Sequence, residues 1–223
     1  MYVKFLLSLC LPLLLFLPLI AQKYGYAEIT NNTKTNLQII KEQTKEGIFL
    51  ITMKDEYRDS RHYFEPEGYT IRWEHSDTKL GHDFDVVRMG EKVAIQGTFQ
   101  GKTIDKTVEI DEDMWTNKVD HALSDWVRSD EEEVEFWILK LSSDLDPLKI
   151  RAEKVGYEVI NLNHRTFQTI KVKLTLCGFF LSHLWSSYYW YRKEDGLFLK
   201  FRGAMGRPGT PLTTIELTHL AEQ

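Results

Sequence analysis

Three histidines and two acids stand together in the stretch RHYFEPEGYTIRWEHSDTKLGHDFD: His62, His75 and His82, with Asp83 and Asp85 close behind. Imidazole and carboxylate groups are what a zinc ion or a hydrolytic site would recruit. A metal is disfavoured, because no two of these histidines have the HxH or HExxH spacing that brings two rings to one ion. What remains open to them is hydrolysis at a site without a known motif. A second group of acids, Asp105, Glu109, Asp111, Glu112 and Asp113, could in principle supply a general acid and base. Acids just ahead of a helical pattern are more simply caps. No GxSxG elbow or SxxK motif offers a serine nucleophile. No catalytic residue, metal ligand or cofactor is therefore assigned, and a non-enzymatic role is the expectation.

Near the end of the chain, SSYYWYRKEDGLFLKFRG combines aromatic side chains with cations. Read as a hairpin with a two-residue turn at Asp195-Gly196, it pairs Trp190 with Phe201, Tyr191 with Lys200 and Tyr189 with Arg202. Trp190, Leu197, Leu199 and Phe201 then share an apolar face, suited to a core or cavity. Tyr189, Tyr191, Lys200 and Arg202 share the other face, which fits cross-strand aromatic and cation pairs on a partly wet surface. The Pro/Gly cluster GRPGTP that follows ends the hairpin and can protect a sheet edge.

The elements that must carry these residues read as strands. GIFLITMK, GYTIRWEHS, DFDVVRMG, VAIQGTFQG, EVEFWILKL, QTIKVKLTL, YYWYRK, LFLKFRG and TTIELTHL alternate with period two, separated by Gly-containing turns such as Gln100-Gly101. Short connections imply an antiparallel meander. One segment differs: DEDMWTNKVDHALSDWVRSDEEE places Trp115, Val119, Ala122, Leu123 and Trp126 at helical spacing, predicting an amphipathic helix of about four turns with His121 on its solvent side. His164, in NLNHR, belongs to a turn. The fold expected is mainly β (α+β) with one helix, a curved antiparallel sheet with the amphipathic helix packed on it.

The first residues have the plan of a secretory leader: a cation at Lys4, an apolar run from Phe5 to Ile20, and small residues after it. Cleavage is expected after Ala27, with Ala21 as the second choice, leaving a single domain over 28–223. Pro12 and Pro18 interrupt a run already short for a membrane span of about 20 residues, so no transmembrane segment is expected once the leader is removed. Cys10 lies inside the apolar run rather than at its end, which excludes lipidation there. Cys177 is then the one cysteine of the exported chain and reads as a buried free thiol, so no disulfide forms within it. Loss of the leader removes Lys4 and Lys23 and moves the net charge from −5 to −7. An acidic chain without a clustered basic face is a poor ligand for nucleic acid.

Taken together, the leader, the meander, the TVEIDEDMWTNKVDHALSDWV segment, the aromatic strand SSYYWYRKEDGLFLKF and the closing PGTPLTTIEL resemble uncharacterised bacterial exported domain families. These are similar in architecture to the periplasmic lipoprotein carrier and receptor proteins. The resemblance implies an open, curved antiparallel sheet, a half barrel with helical cover, whose concave side accepts acyl chains, and a periplasmic location, with secretion as the next choice. The corresponding expectation is a binding protein for a lipid or other apolar or amphipathic molecule, lined by Trp115, Trp126, Trp137, Trp190, Leu199 and Phe201. The alternatives are a cell-envelope scaffold that engages a protein partner through Tyr189, Tyr191, Lys200 and Arg202, and a hydrolase around the three histidines.

Overall fold

The computed structural model describes residues 21–44, 46–66, 68–141, 144–178, 184–205 and 209–220. The leader through Ile20, with Cys10, and residues 206–208 of the GRPGTP turn lie outside the described residues.

The described residues form one sheet of fifteen strands. A first run of eight comprises β1 (Gln22–Thr30), β2 (Thr33–Gln43), β3 (Phe49–Lys54), β4 (Arg58–Phe64), β5 (Thr70–Asp77), β6 (His82–Met89), β7 (Lys92–Phe99) and β8 (Lys102–Glu109). A two-residue strand, β9 (Met114–Trp115), is followed by a one-turn helix, α1 (Val119–Ala122), and a 3-10 turn at Trp126–Arg128. The second run is β10 (Glu133–Leu139), β11 (Pro147–Leu162), β12 (Arg165–Leu176), β13 (Ser186–Arg192), β14 (Phe198–Ala204) and β15 (Leu212–Leu220). The spatial order runs from β8 back to β1, crosses to β15, and continues down to β9. Every neighbouring pair is antiparallel except β9 with β10. Strands β1 and β15 meet mid-sheet, so Tyr26 lies opposite Leu217.

Turn chemistry sets several of these connections. Asn31-Asn32, Gln100-Gly101 and Asn163-His164 each place two consecutive residues at positive φ, the backbone that two-residue hairpins need to match strand twist. Four irregularities, at Gly25/Tyr26, Tyr63/Phe64, Lys154/Gly156 and Trp190/Tyr191, interrupt the ladders and bend their strands. The sheet curves without closing: β8 and β9 are its two ends, and Lys106 of β8 reaches Asp146 across the gap at 3.0 Å.

Several strands carry little apolar alternation, which is why periodicity alone passes over them. In β4 the buried side chains are Ser60, His62 and Phe64, and in β8 only Ile104 and Val108 pack against the core. Strand β1 spans the expected cleavage position. Within it a Cβ on Gly25 would lie 3.2 Å from His219 Cβ, and Ala27 is buried.

The expected helix is present but is four residues long rather than four turns. Its expected first half is taken by the sheet. Thr116 N–H donates to the Trp137 carbonyl at 2.8 Å, and the Asn117 amide both donates to the Leu139 carbonyl and accepts from its N–H, holding 114–117 extended beside β10. Trp115 and Trp126 therefore do not share a helix face. Two apolar clusters result. The larger joins Tyr26, Ile39, Ile51 and Phe64 to Phe136, Val172, Tyr191 and Phe201, with Leu123 and Val127 of the crossing segment buried among them. The smaller groups Trp73, Phe84, Val86, Ile95 and Phe99 with Trp115, Leu139 and Leu145. Among the described residues no helix is long and apolar enough to cross a membrane.

Candidate ligand cleft

Where the crossing segment passes over β1–β4, a cleft of about 350 Å³ remains. Its apolar wall comes from alternate residues of adjacent strands: Tyr24 and Tyr26 from β1, Ile39 from β2, Phe49 and Ile51 from β3, and Phe64 from β4. Its other walls are the 118–128 segment and the 195–198 turn. Tyr26 ties wall to turn, stacking on Phe198 at 5.4 Å and donating its hydroxyl to the Phe198 carbonyl at 2.9 Å. Tyr191 anchors the crossing segment from below through a bond to the Val119 carbonyl.

The polar groups of the cleft are specific. Lys118, itself buried, contacts Asp120 at 2.5 Å, and Arg128 contacts Asp125 at 2.5 Å. Asp195 is held by Arg192 and accepts from the Leu197 N–H. His121, expected in solvent, instead meets Phe64 edge-on at 4.9 Å and lines the cleft. Burial, and then the charges of Lys41 and Lys118, push its imidazole down to about 3, so it is neutral near pH 7. The Lys41 ammonium lies over the Phe49 ring at 4.9 Å, and burial lowers its pKa while Asp125 partly offsets the effect. The arrangement suits an occupant with an apolar body and one polar end.

None of the six expected lining residues borders this cleft. Trp115 and Trp137 belong to the smaller cluster, where the Trp137 indole N–H donates to Asp111 at 2.7 Å. Trp126 packs on the larger cluster beneath the Lys154 ammonium at 5.0 Å. Leu199 and Phe201 are interior, at 0% and 4% exposure. The cleft residues that sequence reasoning missed include Tyr24, Tyr26 and Lys41. The first two stand where a leader was expected, and Lys41 carries no motif.

The aromatic hairpin also needs correction. Strand β13 ends at Arg192 and β14 starts at Phe198, so the turn is longer than two residues. The observed pairs are Tyr188 with Arg202, Tyr189 with Phe201, Trp190 with Lys200 and Tyr191 with Phe198, leaving Leu199 as a bulge. A one-residue slip exchanges the faces of a strand. Tyr191 is consequently 0% exposed, and Tyr189 packs edge-on to Phe201 at 4.9 Å, so neither belongs to a solvated face. Lys200 and Arg202 do, with Tyr188 partly exposed beside them and Trp190 buried at 7% exposure beneath the lysines. The Trp190 ring lies under the ammonium groups of Lys171 and Lys200, and its indole N–H donates to Glu158 at 2.7 Å. Lys200 is itself paired to Glu216 at 2.7 Å.

His62, His75 and His82 are each buried. They alternate with aromatic rings: His82 stacks on Phe99 at 4.4 Å, His75 lies 5.7 Å from His82, and His62 stacks on Trp73 at 5.5 Å. Ser60 Oγ accepts the Trp73 indole N–H at 2.8 Å and sits 3.1 Å from His62 Nε2. Burial lowers all three imidazoles, His75 to about 4 and His62 well below its ordinary value. These are core side chains. Among the described residues no three His, Cys, Asp or Glu side chains gather closely enough to hold a metal ion. Cys177 is partly buried, and burial with the neighbouring Glu135 pushes its thiol up to about 11, the opposite of an activated nucleophile. A shallow second depression lies among Arg61, Glu74, Arg72 and Asp85, a ladder of ion pairs at 2.9 to 3.6 Å, within β5 and to its neighbours β4 and β6. It reads as a solvated strand face.

No family model matches the chain, and no curated protein matches it. Among solved structures, a beta-barrel-like protein of a domain of unknown function from Brucella abortus superposes with a TM-score of 0.60 at 7% identity, over 92% of this chain and 98% of that one. The hypothetical lipoprotein YmcC from Escherichia coli aligns over 88% of this chain and 87% of its own, with a TM-score of 0.43 and 10% identity. MucB of Pseudomonas aeruginosa, solved in complex with MucA, aligns over 90% of this chain and 51% of that one, with a TM-score of 0.36 and 13% identity. The first of these shares the fold: a strongly curved, barrel-like antiparallel sheet, as the sequence resemblance implied.

Proposed function

We propose that this chain is an exported, periplasmic, non-enzymatic binding protein that holds a small apolar or amphipathic molecule, a lipid or acyl chain in class, in the cleft beneath the 118–128 segment. The observation that carries the reading is the cleft itself. Aromatic and aliphatic side chains from four adjacent strands face a volume of about 350 Å³ that the core leaves unfilled. Burial of apolar surface supplies the affinity in such a site, and a few polar groups set orientation. Native mass spectrometry of the chain purified gently from its own envelope, followed by solvent extraction, tests it. A co-purifying amphiphile in near-stoichiometric amount is the expected result. An empty chain that also takes up no added amphiphile overturns it.

A second reading, a scaffold that binds a protein partner in the cell envelope, is favoured by a different observation. Val155, Tyr157 and Val159 of β11 are exposed at 41%, 70% and 65%, an apolar strip that the fold leaves uncovered. A photo-crosslinking residue at position 157 would capture that partner. Crosslinks confined to bulk envelope protein in no reproducible band would dismiss the scaffold.

A further inference from the structure

The cations of the cleft are matched to acids with one exception. Lys118 has Asp120, Arg128 has Asp125, and the adjoining Arg192 has Asp195. Lys41 has no carboxylate of a described residue within salt-bridge distance. Its ammonium lies 4.9 Å from the centre of the Phe49 ring, and the charges of Asp125 and Arg128 act on it with opposite signs. Glu65, the remaining acid of the cleft lining, makes no ion pair with it among the described residues.

Position makes this more than a surface lysine. Strand pairing sets Lys41 between Gln22 of β1 and Ile51 of β3, inside the sheet rather than at an edge. Its side chain lines the cleft, and its charge interacts with those of Asp125, Arg128 and His121 in the 118–128 segment. A half-buried ammonium gives up part of its hydration, and a ring face compensates it only in part. An anion placed against it would restore a full charge-assisted hydrogen bond. Aromatic side chains beside the ammonium offer the apolar remainder of a ligand a continuous surface. From these contacts we infer that the cleft selects amphiphiles bearing an anionic head, a carboxylate or phosphate received by Lys41, with the apolar tail along Tyr26, Ile51 and Phe64. This inference rests on the cleft being the ligand site. Acid headgroups on lipids and on free fatty acids share the required chemistry.

Isothermal titration calorimetry with dodecanoate, dodecyl phosphate and dodecanol, each below its micelle-forming concentration, tests the assignment and separates the head from the tail. The wild-type chain is expected to bind at least one of the two anions more tightly than the alcohol by roughly tenfold or more, the scale of one hydrogen bond to a charged group. Which anion is preferred distinguishes a carboxylate source from a phosphate source. Lys41→Met, close in volume, is expected to bring the ratio of anion to alcohol affinity down to about one. Lys41→Arg is expected to keep the preference. Equal affinity for all three probes, or a preference that survives Lys41→Met, overturns the headgroup assignment but leaves the apolar cleft standing. Binding of none of them by the folded wild-type chain removes both.

Discussion

The α-carbon of Gly196 lies against the backbone of Ser124, so closely that a Cβ on the glycine would come within 2.1 Å of the Ser124 carbonyl oxygen. Through this contact the β13–β14 turn supports the crossing segment, and both residues line the cleft. Gly196 also has φ of +72°, a conformation that side chains disfavour. Gly196→Ala should therefore displace turn and segment together, costing more than about 1 kcal/mol. Urea denaturation should show the loss, and ligand uptake should weaken with it. An unchanged midpoint would mean that the contact is not part of the folded state.

The register of β13 makes a second prediction. Tyr191 is fully buried and bonds the Val119 carbonyl, while Arg202 is exposed on the opposite face. Tyr191→Ala should cost about 3–5 kcal/mol, as loss of a large core ring does. Tyr191→Phe should cost about 1 kcal/mol for the hydrogen bond alone, and Arg202→Ala should stay within about 0.5 kcal/mol. Chemical denaturation of the three variants checks the order. A mild Tyr191→Ala would restore the two-residue-turn register.

Acid should destabilise the protein earlier than its carboxylates require. His62 and His75 are buried and held neutral, His75 with its pKa lowered to about 4 by burial and by the His82 charge. In the unfolded chain these imidazoles take up protons near pH 6.5. Between those values the unfolded state binds more protons, so stability present above pH 6.5 is lost as pH falls toward 4. For His75 alone the loss is on the order of 3 kcal/mol. In Asp111 partial burial is outweighed by hydrogen bonds from Lys149 and Trp137, which keep it at about 2, so it titrates well below this window. Urea midpoints measured from pH 7 to pH 4 should decline. His75→Phe, which keeps a ring against Phe84, should flatten the decline. A flat wild-type profile would contradict the buried neutral histidines.

Strand β1 makes a prediction about the expected leader cleavage. It is paired on both sides, to β2 and to β15, and carries Tyr26 at 3% exposure. Cleavage after Ala27 would remove most of that strand together with a wall of the cleft. Cleavage after Ala21 would leave it whole. Mass spectrometry of the chain purified from its own cells should give a mature N-terminus at Gln22, and a chain beginning at Glu28 should be measurably less stable. A natural terminus at Glu28 would show that the sheet forms without this strand.

Local patterns in the sequence were enough for the sheet, its antiparallel sense and several of its turns. Period-two alternation in VAIQGTFQG or QTIKVKLTL and residues tolerant of positive φ at Gln100-Gly101 act within a few residues of themselves. The helix was only partly legible: Leu123 and Val127 bury as their spacing suggests, but Trp115 is claimed by β10 through backbone bonds that no periodicity within 111–128 records. The face of Tyr191 turned on a longer turn and one bulge at Leu199, because adding a single residue to a strand reverses every side chain beyond it. The cleft was the least legible feature, since Tyr26, Lys41, His121 and Gly196 lie far apart in the chain and carry no shared motif. Composition and alternation determined that this chain would be a curved sheet with a buried aromatic interior. Only the tertiary pairing of β1 with β15, and the path of the 118–128 segment across the first four strands, decided where that interior stays open and that Lys41 would line it.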